Sequence, residues 1–200
     1  MPLTFPRGRS PVTRRALVIV VLVGAFWISF HVAERASAYD QEGHVFCKYS
    51  YSGSGLVYIV LRDDPDFPPS GFTGIPQVYS AAQTGWNISP APVWLTHTSS
   101  GEAWIGAYFM GSDGPYAHTN DYCTWPSQNR YGSDTYLNMS RYLSTTERES
   151  VASHELGHVV AIRHSYESPA VMNVSRNRSG TYGPQSDDVC GVKARYGLSC

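Results

Sequence analysis

Apolar positions along this chain follow two rhythms. Gly55 to Leu61 is a short run rich in β-formers, bounded by turn formers, and predicts a strand. Asp63 to Gly74 mixes Pro and Gly with polar residues and reads as a loop. Ile75, Val78, Tyr79, Ala82 and Trp86 recur with the period of one helical face, so Ile75 to Trp86 predicts a helix. Pro92 to Thr96 and Ala103 to Phe109 are strand-like, and Tyr136 to Met139 is a further short strand. Gly111 to Ser133 is rich in Gly, Asp, Asn and Pro and shows no such pattern.

The helical signal strengthens toward the C-terminus. Ser144-Thr145-Thr146-Glu147 fits a capping box, in which hydroxyl and carboxylate satisfy the first free backbone N–H groups. Val151, Leu156, Val159, Val160 and Ile162 follow at core spacing. A last helix opens at Gln185-Ser186-Asp187-Asp188, where acids favour the positive end of the helix dipole. It runs through Val189, Val192 and Tyr196 and stops at Gly197. Strands mostly precede helices, which predicts an α+β or mixed layered fold and not an alternating dinucleotide-binding pattern.

One stretch does not belong to that fold. Arg7, Arg9, Arg14 and Arg15 precede the apolar run Ala16 to Phe30, and Ala36-Ser37-Ala38 supplies the small residues of a cleavage site. This predicts a signal peptide over 1–38, cut before Tyr39, and a secreted mature chain. An uncleaved anchor is the alternative, although the run is shorter than the roughly 20 apolar residues that span a bilayer. Removing five Arg and one Glu takes the formal charge from −1 to −5, so the mature chain carries no basic run for nucleic acid or anionic lipid. Residues 39–200 suffice for one domain, expected as a monomer free of the membrane. All four cysteines fall there. In an exported chain they imply two disulfides, with Cys47–Cys123 and Cys190–Cys200 preferred among three possible pairings.

The chemistry concentrates in His154-Glu155-Leu156-Gly157-His158 and in His164. Two His four apart on a helix project from one face about 6 Å apart, close enough to chelate one ion. Glu155 is rotated by about 100°, so its carboxylate flanks the metal position without occupying it. That is where a general base must stand to take a proton from an activated water. His164 would point elsewhere on a straight helix, so as third ligand it requires the helix to end near Ala161. Three neutral imidazoles leave one position of a tetrahedral zinc open, where the pKa of water falls from 15.7 toward roughly 7. The reading is a zinc-dependent endopeptidase with Glu155 as base. Two alternatives are a zinc-binding protein of the same fold with little turnover, and a hydrolase of a non-peptide amide.

The pattern H-E-x-x-H-x-x-x-x-x-H, with Ala170-Val171-Met172 ending eight residues after His164, resembles the metzincins. His164-Ser165 and the stretch Ser186 to Gly197 are similar to the matrixin branch in particular. The resemblance implies His154, His158 and His164 as ligands of one catalytic zinc, Glu155 as base and Met172 as an apolar floor. Asp188 would hydrogen-bond the turn at Met172, with helix capping as the competing role. The implied fold is a twisted, mostly parallel five-stranded sheet packed on the active-site helix, with a small C-terminal part ending in a helix. A protein or peptide substrate would lie extended along an edge strand.

Several positions depart from that family. Ala161 stands at the family glycine, costing about 1–2 kcal/mol if its backbone is left-handed. Asn173 replaces the tyrosine of astacin-like relatives. His118 matches the family's structural zinc site and His97 only distantly, so a second zinc is not expected. A structural Ca²⁺ near Asp113 and Asp134 competes with plain solvation of those acids. No family-type propeptide is expected before the first strand. The loop Asn173 to Pro184 would shape the pocket for the residue after the scissile bond, where Arg176 and Arg178 either favour acidic partners or simply face water.

Overall fold

The computed structural model describes residues 48–50, 55–66, 75–124 and 129–200. The expected leader, Cys47 and the end of the Asp63 to Gly74 loop lie outside them. Five strands form one sheet: β1 (Val57–Asp63), β2 (Val93–His97), β3 (Ala103–Tyr108), β4 (Ala117–Thr124) and β5 (Asn129–Asn138). Their order is β2-β1-β3-β5-β4. The first four are parallel, and β4 runs antiparallel to β5 at the edge. Helices α1 (Ile75–Ser80), α2 (Thr145–Val159) and α3 (Ser186–Arg195) complete the α+β fold expected from the sequence. No helix among the described residues is long and apolar enough to cross a membrane.

The sheet buries one face against the helices. Val57, Ile59 and Leu61 of β1 are fully buried, while Tyr58 between them faces outward. They join Val93, Leu95, Ala103 and Ile105 of the neighbouring strands and Ala152, Leu156 and Val159 of α2 in a continuous core. Each large aliphatic side chain buried there contributes about 1.5–3 kcal/mol relative to exposure. The predicted helix over Ile75 to Trp86 exists, but from Ala81 it widens into a π-helical turn ending at Trp86. Trp86 is fully buried and its indole N–H donates to the Ser153 carbonyl at 3.0 Å, tying this segment to the back of α2.

The stretch Gly111 to Ser133 is where the pattern misled. It contains all of β4 and the start of β5. β4 is an edge strand of polar, largely exposed residues, so backbone pairing with β5 defines it and no apolar alternation marks it. β5 accordingly starts seven residues before the predicted Tyr136, at Asn129. The irregularity at Tyr122/Cys123 bends this edge, a common device against edge-to-edge association. Cys190 is bonded to Cys200 as expected; Cys47, the expected partner of Cys123, is outside the described residues.

Candidate metal centre and its cleft

The capping box forms as the sequence implied: Ser144 Oγ accepts from Glu147 N at 3.3 Å, and Glu147 Oε2 accepts from Ser144 N at 2.9 Å. From Ser150 onward every residue of α2 is buried, including His154, Glu155 and His158. The helix then stops in a Schellman motif. Ile162 N donates to Gly157 O at 3.0 Å and Ala161 N to His158 O at 2.9 Å. Ala161 takes φ 71°, the left-handed conformation that such a cap demands. The cost anticipated for alanine is thus incurred, and the reversal turns the chain back toward its own helix.

That reversal places His164 beside the two helical histidines. Ring centroids lie 5.0 Å apart for His154 and His158, 5.1 Å for His154 and His164, and 5.0 Å for His158 and His164. One ligand nitrogen from each falls within 4.8 Å of the others, and this is the one such group of His, Cys, Asp or Glu among the described residues. The donor chemistry suits zinc. His154 Nδ1 lies 2.9 Å from Val171 O and His158 Nδ1 3.0 Å from Ile162 O. Carbonyls only accept, so both Nδ1 atoms carry the proton and Nε2 keeps its lone pair for a metal. Arg176 Nη1 also lies 3.2 Å from His154 Nδ1. The shorter carbonyl contact sets the tautomer, and the guanidinium merely lies alongside. Burial pushes His154 well below the usual imidazole range and His158 down to about 3, which keeps both neutral.

Glu155 is buried next to this cluster. Its Oε2 accepts from Thr119 Oγ1 at 2.7 Å, and Thr119 Oγ1 also meets Thr135 Oγ1 at 3.0 Å. Burial pushes the Glu155 carboxyl up to about 7, while the Thr119 hydrogen bond and the charge of Arg176 pull it down. Thr119, on edge strand β4, thus orients the carboxylate; nothing in the sequence pattern singled it out.

Met172 is fully buried under α2. A β-carbon added at Gly157 would sit 2.1 Å from Met172 Sδ, so the helix needs glycine between its two histidines to let sulfur approach. Asp188 performs both of the roles that competed for it. Its carboxylate accepts from Val171 N at 2.7 Å and Met172 N at 3.0 Å, and from Gln185 N at 2.7 Å at the start of α3. Burial still pushes its carboxyl above the usual range, against those three bonds.

Arg130, at the start of β5, was also invisible in the sequence. Its side chain is fully buried, pairs with Asp121 of β4, and donates to His158 O at 3.0 Å and to Val159 O. It thereby satisfies the last carbonyls of α2, where the helix dipole favours a cation.

The two other histidines among the described residues do not join this cluster. His97 pairs with Asp63 at 3.3 Å and packs on Tyr79 at the opposite edge of the sheet. His118 accepts or donates to Tyr108 Oη at 3.1 Å and tilts against Tyr136. Asp113 bonds Ser112 and Asp134 bonds Tyr122. No group of three or more His, Cys, Asp or Glu ligands gathers around either acid among the described residues, so the calcium expectation finds no support.

The histidines open into a cleft of about 370 Å³. Ala117 to Thr119 of the edge strand form one wall, and Val174, Arg176 and Arg178 of the loop after Met172 form the other. Burial and the neighbouring Arg178 pull Arg176 down to about 10.

Comparison with known proteins places these features together. The profile of the matrixin family matches residues 94–197, which include the helix, the reversal, the Met172 turn and α3. Human neutrophil collagenase is 29% identical over 127 residues, covering 57% of this chain and 27% of that protein. The chain therefore spans about a quarter of the length of this curated relative.

Proposed function

The chain belongs to the matrixin family, and from that premise we propose that it is a secreted zinc-dependent endopeptidase. His154, His158 and His164 would hold the ion, and residues 39–200 would form the catalytic domain after cleavage of the leader. The observation that carries this reading is the convergence of three imidazoles, two with Nδ1 tied to a carbonyl, beside a buried carboxylate. A zinc ion held there supplies a Lewis acid that polarises the scissile carbonyl and makes water acidic enough to attack near neutral pH.

The chain's own groups do the rest. Glu155 accepts the proton of the attacking water at a carboxylate oxygen and returns it to the departing amine. Thr119 keeps the other lone pairs of that carboxylate directed, so the base does not swing away. An extended peptide would lie along β4, whose Ala117 to Thr119 border the cleft, and would pair with its free edge. The relative's name says that it cuts collagen; the cleft of this chain is assigned peptide substrates in general.

The test combines metal analysis with turnover. We expect one zinc per chain, digestion of casein or gelatin, loss of activity in chelator, and a fall of at least about a thousandfold in Glu155→Gln with zinc retained. A wild-type protein that binds one zinc yet cuts no member of a peptide library would refute the proposal.

A further inference from the structure

We propose that the cleft selects an acidic substrate side chain, read by Arg178 against the fixed charge of Arg176. This rests on the peptidase reading above and names its substrate class. Arg176 is buried and anchored: Nε donates to Ser150 Oγ at 3.1 Å, Nη2 to Ser150 O at 2.9 Å and Nη1 to Asn173 O at 3.1 Å. Those hydrogen-bond partners are neutral and hold the guanidinium in place, while the nearby carboxylates of Glu155 and Asp188 offset part of its charge. Arg178 lies over the Tyr116 ring at 4.3 Å, and Arg141 lies over the same ring at 4.5 Å.

Among the described residues none of these three arginines forms an ion pair with a carboxylate, although the chain as a whole is slightly acidic. Arg178 Nε is buried and has no hydrogen-bond partner. Arg178 also acts on the carboxylate of Glu147, which is already engaged by Ser144 N and Ser144 Oγ at 2.9 and 2.8 Å. The charges of Arg176 and Arg178 oppose each other across the cleft wall. Val151 and Val174 supply apolar sides that suit the methylenes of a glutamate. A carboxylate entering there relieves the repulsion between the two guanidinium groups, and a neutral side chain of the same shape does not.

The probes are fluorescein-labelled peptides that differ only in Glu or Gln at one position within three residues of the scissile bond. Binding is read by anisotropy on zinc-loaded Glu155→Gln protein, and cleavage on the zinc-loaded wild type. At one position we expect Glu to bind, and to be cut, about tenfold better than Gln, as one partly exposed charge-assisted hydrogen bond provides. Arg178→Gln should bring that ratio to about one and Arg178→Lys should keep part of it, with unchanged melting temperatures excluding misfolding. Wild-type cleavage with no Glu preference at any position overturns this inference and leaves the peptidase reading intact. Glu-selective binding by a protein that cuts nothing does the reverse. Failure to bind either peptide, or a preference that survives Arg178→Gln, also overturns it.

Discussion

Replacing Arg130 with Met tests whether the end of α2 depends on a buried cation. Met keeps the stem and removes the guanidinium that joins Asp121 to the carbonyls of His158 and Val159. The Arg130 and Asp121 side chains are 0% and 9% exposed, so an ionised Asp121 without Arg130 is a buried charge that only the more weakly acting Arg195 offsets, and losing the partner of such a pair costs up to about 3–5 kcal/mol. Burial already pushes the Asp121 carboxyl up to about 6 from 3.8, with Arg130 pulling it down. The native state therefore holds this proton more tightly than the unfolded chain. Its stabilising contribution is complete below about pH 3.8 and is lost as pH rises through about 6.

Removing Arg130 removes the downward pull and moves that window upward. At pH 5 most Asp121 is protonated in either protein, and only the carbonyl hydrogen bonds are lost, about 1–3 kcal/mol. At pH 8 the full penalty applies. Urea unfolding in EDTA, which removes the metal's own pH dependence, should show Arg130→Met destabilised by about 2 kcal/mol more at pH 8 than at pH 5. Adding Asp121→Asn should return most of that difference. Equal losses at both pH values, or less than about 1 kcal/mol at pH 8, would refute the reasoning.

Two further substitutions probe the packing around the proposed ligands. Gly157→Ala gains about 1 kcal/mol of helix propensity but places a methyl on Met172, and overpacking costs about 1–3 kcal/mol. We expect a net loss of stability and a zinc affinity about tenfold weaker by competitive chelator titration, with Gly157→Ala/Met172→Ala falling short of the additive loss by at least about 1 kcal/mol. Strict additivity would mean the two do not compete for the same space. Ala161→Gly relieves about 1–2 kcal/mol of left-handed strain, but it loses a buried methyl worth about 0.8 kcal/mol and restores about 0.4–1 kcal/mol of unfolded-state entropy. Its unfolding free energy should stay within about 1 kcal/mol of wild type, and a larger change in either direction would overturn that balance.

Near-neutrality at Ala161 would also explain why the sequence could hold alanine there without losing the turn. The residues legible in advance were those whose role is local. The capping box, the i, i+4 histidines and the apolar spacing of α2 are all written within one or two helical turns, and Ala161 stood out because a helix reaching His164 must reverse. β4 was not legible, because an edge strand of polar residues, none of them fully buried, shows no apolar alternation and is defined by the partner it pairs with. Thr119 and Arg130 were missed for the same reason. Each acts on α2 from another strand, across 36 and 28 residues, and a lone Thr or Arg in a polar stretch carries no pattern.

These long-range contacts give the candidate site a cooperative construction. Both Nδ1 hydrogen bonds that orient the helical histidines end on the segment that carries the third: His158 on Ile162 and His154 on Val171. The same segment is closed by Ser165 N to Met172 O at 3.0 Å and pinned to α3 by Ser165 Oγ to Asp187 at 2.6 Å. Asp188 then holds Val171 N and Met172 N, so the carbonyl that fixes His154 and the sulfur that fills the space at Gly157 share one anchor. Neither helical imidazole can be reoriented without disturbing the backbone of the segment that carries His164. If the three histidines bind a metal as proposed, much of the entropy of gathering them is lost on folding and not on metal binding, and such a donor set is preorganised. It follows that Asp188, although it touches no histidine, controls His154 through Val171, and that the short run from Ala161 to Met172 behaves as part of the site and not as a connecting loop.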